Sequence, residues 1–327
     1  MAQVSAADVA RLAGVSGQTV SRVANGSPRV DPVTRARVES AMAALGYRPN
    51  RTARALRTGR TGTIGVIVRT LASVGNTRML EAVTSAASAR DHAVLVVTLS
   101  GADDTLAADA AFDALNDHGV DGAVVLNEAT PTIRDAADPG FPVVAVDAGT
   151  TDRFTAISSD HAGGASDATA HLLALGHATV HHVAGPRGAF AADERERGWR
   201  AALEDAGVTV PAPLRGDWTA ATARRHGETL AAAPEVTAVF AANDQTALGV
   251  LHAAHALGRD DLSVVGFDDV VDAADYWPPL TTVAQRFDEL GSAAVDLLLA
   301  RLEGRAVDAR TVVPTRLVLR ESTRPRL

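Results

Sequence analysis

Val15-Ser16-Gly17-Gln18-Thr19-Val20-Ser21-Arg22-Val23-Ala24-Asn25, close to the N-terminus, is the stretch on which the fold turns. Ahead of it, Val4 to Ala13 reads as a short helix with Val9 and Leu12 on one face, and Gly14 supplies the left-handed residue that ends it. A second helix begins at once. The Ser16 hydroxyl is placed to accept from the orphan backbone N–H of Thr19, while Val20 and Val23 face the first helix. Gly17, Gln18, Ser21 and Arg22 are left pointing outward. Two short helices about a glycine turn, the second displaying Gln and Arg, form the pattern of a helix-turn-helix whose second helix enters a DNA major groove. Two helices packed in a small bundle give the same local pattern, so charge arbitrates.

Residues 1–60 hold ten Arg (11, 22, 29, 35, 37, 48, 51, 54, 57 and 60) against Asp8, Asp31 and Glu39. That net +7 leaves −15 on the remainder of a chain whose total is −8. Phosphates attract such a basic module and repel the acidic body behind it, as a nucleic-acid-binding segment requires. Asp31-Pro32 opens a third helix, with Asp as N-cap and Pro in the first turn; Val38, Ala41, Met42 and Leu45 form its apolar stripe and Gly46 ends it. Pro49 to Arg60 is basic around one large apolar residue, Leu56. By composition it is a solvated linker, and a segment this short is a marginal helix in isolation.

From Thr61 the pattern becomes alternating strands and helices. Thr63 to Val68, Ala93 to Val97, Gly122 to Leu126 and Pro142 to Val146 are near-continuous apolar runs, as parallel strands covered on both faces require. Helical stretches, Met79 to Arg90 and Leu106 to Asp117, separate them. The series restarts at His161 and runs through Thr179 to Ala184, Ala238 to Ala242 and Leu262 to Phe267, with helices between, before a helix over Phe287 to Leu302 and an extended Thr311 to Arg320. Two βα series predict two α/β lobes with right-handed crossovers.

Asp8-Val9-Ala10, Ala13-Gly14-Val15-Ser16, Thr19-Val20-Ser21-Arg22-Val23 and Gly46-Tyr47-Arg48-Pro49-Asn50 together resemble the DNA-binding headpiece of the lactose-repressor (LacI/GalR) family. The resemblance continues through His171-Leu172-Leu173-Ala174-Leu175-Gly176-His177, Ala184-Gly185-Pro186, Gly216-Asp217-Trp218-Thr219-Ala220 and Ala242-Asn243-Asp244-Gln245. It continues with Ser263 to Asp269 and Pro278-Pro279-Leu280-Thr281-Thr282-Val283, and runs from Val4 to about Thr323. It implies a helix-turn-helix headpiece over 1–48, a hinge helix or linker over 49–61, and a two-lobed, doubly wound α/β core over 62–327 similar to periplasmic binding proteins. The first lobe is expected over about 62–159 and 287–320 and the second over about 160–285 and 321–327, with crossings near Ser159-Asp160, Pro279 to Phe287, and Arg320. DNA contacts are implied for Ser16, Gly17, Gln18, Thr19, Ser21, Arg22 and Asn25. In the hinge they are implied for Asn50, Ala53, Leu56 and Arg57, with Leu56 wedging a base step in the minor groove.

Asn127, Asp147, Asn243-Asp244 and Asp268-Asp269 fall at strand ends, where Asp and Asn either cap the next helix or line a ligand cleft. By resemblance Asp147, Arg195, Asn243 and Asp268 contact sugar hydroxyls, Asn127 joins them, Trp218 stacks on the sugar ring, and Gln285 and Phe287 close the cleft. Arg69 stands at a ligand-facing position where a small hydroxyl residue is usual, and the loop Ser73-Val74-Gly75-Asn76 is polar, so the effector is expected to be a galactoside-like or other glycoside, of a different or larger kind. Gly17 replaces a large recognition side chain.

The resemblance implies a repressor that binds a pseudo-palindromic double-stranded operator as a homodimer and responds to a small sugar. A sugar receptor without DNA function and a repressor of non-sugar response are the alternatives. No leucine heptads close the chain at Leu327, so a tetramer is not expected. With no Lys there is no phosphate-loop lysine, and there is no G-x-G-x-x-G. Ser159-Asp160-His161 holds the residue types of a hydrolytic triad, but neighbours on a strand point to opposite faces. No enzymatic activity and no cofactor are expected. His177, His181 and His182 have no Cys or clustered carboxylate partner and read as a strand and its cap rather than a metal site. Met1 to Ala10 lacks the apolar core of a signal peptide, and no run reaches the roughly 18 apolar residues of a membrane span, so no membrane partner and a cytoplasmic, nucleoid-associated location are expected.

Overall fold

The computed structural model describes residues 4–24, 27–47, 59–99, 104–127, 132–134, 136–149 and 153–326. The chain divides into two compact units, residues 1–62 and 63–327.

The first unit contains α1 (Ala6–Ala13), α2 (Gly17–Ala24) and α3 (Pro32–Leu45). Ser5 and Asp8 form a reciprocal capping box at the start of α1, and Gly14 ends it at φ 62°. The Ser16 hydroxyl accepts from Thr19 N–H at 3.2 Å, and Asp31 accepts from Thr34 N–H at 2.9 Å. Val9, Ala10, Ala13, Val20, Val23, Val38 and Ala41 form the core, with Met42 and Leu45 against it. Leu12 is not part of it: the buried stripe runs Val9-Ala10-Ala13, and Leu12 lies 56% exposed on the flank. Helical spacing satisfied Val9 and Leu12 as a pair, but the small Ala residues let α1 approach its neighbours along a different line. Such a core of Val and Ala is small.

The second unit contains two six-stranded sheets. The first has the order β11-β5-β4-β3-β1-β2, built from β1 (Thr63–Val68), β2 (Ala93–Thr98), β3 (Gly122–Leu126), β4 (Val143–Val146), β5 (Thr155–Ser159) and β11 (Arg310–Val313), all parallel. Burial on both faces explains the unbroken apolar runs. Ile64, Val66 and Val68 pack against α4 (Val74–Ser88) and α10 (Phe287–Leu302), whereas Ile67 faces Phe112 and Leu115 of α5 (Asp104–Asp117). Ser73 caps α4 by accepting from Asn76 N–H at 3.2 Å, so Val74 to Asn76 is the first helical turn rather than a loop.

The second sheet has the order β12-β10-β9-β8-β6-β7, built from β6 (His181–Ala184), β7 (Leu214–Arg215), β8 (Ala238–Ala241), β9 (Ser263–Asp268), β10 (Thr281–Ala284) and β12 (Arg316–Val318). β12 runs antiparallel to β10 and the other pairs are parallel. One face is covered by α6 (His161–Ala174) and α7 (Phe190–Asp205), the other by α8 (Ala220–Ala231) and α9 (Asp244–Ala256).

The chain passes between the sheets three times: after Ser159, between Ala284 and Phe287, and at Pro314-Thr315. The third passage precedes Arg320, because the extended tail is two strands in different sheets, broken at a proline that donates no ladder hydrogen bond. The passages are tied together. Asp160 N–H donates to Val313 O at 2.8 Å, the Thr315 hydroxyl to Asp160 O at 3.2 Å, and the Ser159 hydroxyl to Gln285 Oε1 at 2.6 Å.

Candidate functional site

In the first unit the outward face of α2 is as expected: Ser16, Gly17, Gln18, Ser21 and Arg22 are exposed, Thr19 is half-buried, and Val20 and Val23 are buried behind them. Asn25, Asn50, Ala53, Leu56 and Arg57, with the hinge prediction, lie outside the described residues.

In the second unit the carboxyl ends of both sheets converge on one cavity. It is lined by Ser73, Gly75, Asn127, Asp147, Ala191, Arg195, Trp218, Asn243, Asp268, Gln285 and Phe287. Nine residues singled out from the sequence are therefore brought together. Arg69 is not among the lining residues: it is half-buried and its Nη2 donates to Thr132 Oγ1. The cavity volume is ≈ 40 Å³, well below the roughly 300 Å³ at which small-molecule sites begin.

Backbone geometry marks the same residues. Among those described, six non-glycine residues have left-handed φ, and four line the cavity: Asn127 (45°), Asp147 (52°), Trp218 (70°) and Asp268 (111°). Asp269 (52°) follows directly. Such conformations cost on the order of 1 kcal/mol each and persist where surroundings over-determine them. Asn127 and Asp147 directly follow β3 and β4, and Asp268 ends β9.

Most of the polar groups are hydrogen-bonded to one another or to backbone, while Trp218 Nε1 is buried without a hydrogen-bond partner among the described residues. Arg195, 3% exposed on α7, donates from Nη2 to Asp268 Oδ1 at 3.3 Å, from Nη1 to Ala242 O and from Nε to His161 Nδ1 at 3.3 Å. Asp268 also accepts from Gln285 Nε2 at 2.7 Å. Burial pulls the Arg195 guanidinium down from its usual range, opposed by Asp268; it pushes the Asp268 carboxyl up, opposed by Arg195. Asn243 caps α9 by accepting from Thr246 N–H at 2.8 Å and donates from Nδ2 to Trp218 O at 3.2 Å, so a capping residue also fixes the tryptophan. The Trp218 ring lies over Gly185, where a Cβ would sit 2.5 Å from Cη2. Asn127 Nδ2 donates to Asn76 Oδ1, and Asp147 Oδ1 accepts from Ser159 N–H at 3.2 Å. Planar polar groups ringed about an indole face are the chemistry that holds a hydroxylated ring: amides, carboxylates and guanidinium pair with hydroxyls, and the indole covers C–H surface.

His161 was missed. Within Ser159-Asp160-His161 the strand ends at Ser159, so alternation along a strand is not what separates the three. Ser159 goes to Gln285, Asp160 caps α6 through Gly163 N–H at 2.9 Å, and His161 turns inward with Nε2 2.8 Å from Asp147 Oδ1. Two other histidines have structural partners: His177 lies between Thr237 Oγ1 and Ser263 Oγ, and His182 stacks on Phe240, where burial pushes its imidazole down to about 4.

A helix-turn-helix unit joined in one chain to a two-lobed α/β unit with a polar cavity between its lobes defines a regulator of the DNA-binding, ligand-responsive class. Residues 6–50 match the bacterial regulatory proteins of the lacI family, and residues 169–323 match the periplasmic binding protein-like domain. The chain is 36% identical to the lactose operon repressor of Escherichia coli (strain K12) over 332 residues, 99% of this chain and 91% of that protein. Its fold matches the crystal structure of the lac repressor dimer bound to operator and the anti-inducer ONPF, with a TM-score of 0.83, 34% identity, and coverage of 99% of this chain and 100% of that one. It also matches the transcriptional regulator CelR–cellobiose complex at a TM-score of 0.71 and 32% identity, covering 98% of this chain and 100% of that one. The chain belongs to the lacI family of bacterial regulatory proteins. None of its described helices is long and apolar enough to cross a membrane.

Proposed function

We propose that this protein is a sequence-specific transcriptional repressor, without enzymatic activity, whose operator affinity is set by a small carbohydrate bound in the cavity of the second unit. The observation that carries the reading is the convergence of Asp147, Arg195, Trp218, Asn243, Asp268 and Gln285 at the carboxyl ends of the parallel strands of two sheets, in a chain whose α2 displays Gln18 and Arg22. Gln pairs bidentately with adenine and Arg with guanine. Gly17 offers no side chain, so selectivity at its base is low. The protein acts as a homodimer on two half-sites of a pseudo-palindrome, with Leu56 of the hinge segment at the centre. The effector works by its difference in affinity for two lobe arrangements, and it lowers specific binding far more than non-specific binding, which rests on phosphate charge.

Gel-shift titration of the promoter region of the protein's own gene, repeated with a panel of mono- and disaccharides, tests this reading. One sugar is expected to shift the operator titration and leave random DNA unaffected. Equal affinity for promoter and random DNA removes the repressor reading, and indifference to every sugar removes the carbohydrate. Light scattering showing a stable tetramer, or a monomer that binds operator at full affinity, removes the dimer.

A further inference from the structure

We infer that His161 is a positioning residue for effector binding: an imidazole held with its proton on Nε2 and its Nδ1 lone pair free to accept, which fixes Asp147 of the first lobe and Arg195 of the second relative to each other. His161 is the second residue after the first passage between the sheets and the first residue of α6, and it is 1% exposed. It does not line the cavity, so it acts through its two neighbours, which do.

The tautomer follows from donor arithmetic. Arg195 Nε approaches His161 Nδ1 at 3.3 Å, and a guanidinium only donates. Nδ1 therefore presents its lone pair, and in the neutral ring the proton stands on Nε2. That nitrogen lies 2.8 Å from Asp147 Oδ1, so a donor faces a carboxylate on one side of the ring and an acceptor faces a guanidinium on the other. The Nε2 contact is short but off the hydrogen-bond axis. It therefore steers the carboxylate through the Nε2–H dipole while the backbone N–H of Ser159 supplies an aligned bond at 3.2 Å. The ring itself is held in place, tilted on Phe267 at 5.8 Å and edge-on to Phe190 at 6.1 Å. The opposite tautomer would set N–H against N–H at Arg195 and a lone pair against the carboxylate. A phenylalanine would keep the packing and leave the Arg195 Nε without its partner.

This inference rests on the cavity being the effector site, and its test separates the two. Nitrogen-15 spectra of histidine-labelled, full-length protein need no ligand, with the His161 signals assigned by their loss in His161→Gln. The expected signature is an unprotonated Nδ1 and a protonated Nε2. A protonated Nδ1 in the neutral ring overturns the proposal. Binding is then measured by calorimetry with lactose, ribose and cellobiose as probes. For any probe that binds, His161→Phe is expected to lose affinity by about tenfold or more, as for one lost hydrogen bond to a charged group. His161→Gln, whose amide both accepts and donates, is expected to recover most of that loss. If Asp268→Ala abolishes binding and His161→Phe leaves it intact, this inference falls and the cavity stands. If Asp268→Ala and Arg195→Ala both bind as the parent does, the cavity reading falls and this inference with it.

Discussion

Gln18, Ser21 and Arg22 stand on the outside of a helix held from behind by Val20 and Val23, whereas Arg195, Asp268 and Gln285 are held by one another. The first surface is a row of exposed side chains on a small core. The second is a set of groups, Arg195 and Asp268 buried and Gln285 half-buried, that supply each other's hydrogen bonds. In the first, recognition is separable from stability, because an exposed side chain is replaced without leaving anything behind unpaired. In the second the two are inseparable, since each group removed strands another in a place water does not reach.

The largest expected effect follows from that inseparability. Arg195→Ala leaves the Asp268 carboxylate buried beside Gln285 alone, and breaking a buried pair from one side costs on the order of 3–5 kcal/mol. Urea unfolding of the second unit measures it, and a loss within error of zero would make the cavity as separable as the helix.

Next is a pH effect centred on Asp244, which accepts from Val270 N–H at 2.8 Å and from the Thr282 hydroxyl at 2.5 Å. Burial, with the nearby Asp268 charge, pushes its carboxyl up to about 8. The folded state thus binds this proton more tightly than the unfolded chain does. The contribution to stability is present at acidic pH and is lost as pH rises from the ordinary carboxylate range towards 8, at about 1.4 kcal/mol per unit. Asp244→Asn keeps the group neutral. Melting temperatures between pH 5 and pH 8 are expected to fall less steeply in the variant than in the parent; parallel curves would show Asp244 already ionised.

Smaller effects belong to the headpiece. Arg22→Ala and Gln18→Ala are each expected to cost about 1–3 kcal/mol of discrimination between operator and mismatched sites. Both should leave thermal stability within roughly 0.5 kcal/mol. Competition gel shifts decide it: if specific and random DNA weaken equally, the side chain is a phosphate contact. Smallest of all is Leu12→Ala, within roughly 0.5 kcal/mol, against about 1–3 kcal/mol for Val9→Ala. Amide exchange in α3 of the intact chain reports both, and a large Leu12 effect would return that residue to the core.

Strands buried on both faces write themselves into sequence as apolar runs, which is why β1, β3 and β4 were legible. Polar residues immediately after such runs, Asn127, Asp147 and Asp268, were legible as cleft candidates for the same reason. Arg195 and Trp218 came from the family resemblance, since nothing in helix periodicity or in the turn after β7 points them inward. His161 escaped because it sits two residues beyond a strand end, where alternation no longer tells which way a side chain faces. The third passage between sheets was misplaced although Pro314 marked it: an extended stretch looks the same whether its halves pair in one sheet or in two. Arg69 follows β1 as Asn127 follows β3, yet Thr132 holds it away from the cavity, and no local signal distinguishes them.

The ties among the three passages have a mechanical consequence. Ser159, Gln285 and Thr315 stitch the connecting strands into a single fulcrum, and one of them, Gln285, also lines the cavity. If the proposed effector binds in the cavity, it would bear on Gln285 beside this fulcrum, where a small displacement would be carried to the far ends of both sheets. Affinity and response are then set by different parts: the walls determine how tightly the pivot is gripped, and Ser159 and Thr315 how stiffly it turns. Altering those two hydroxyls is the route to a regulator that binds its effector as before but answers it with a different amplitude.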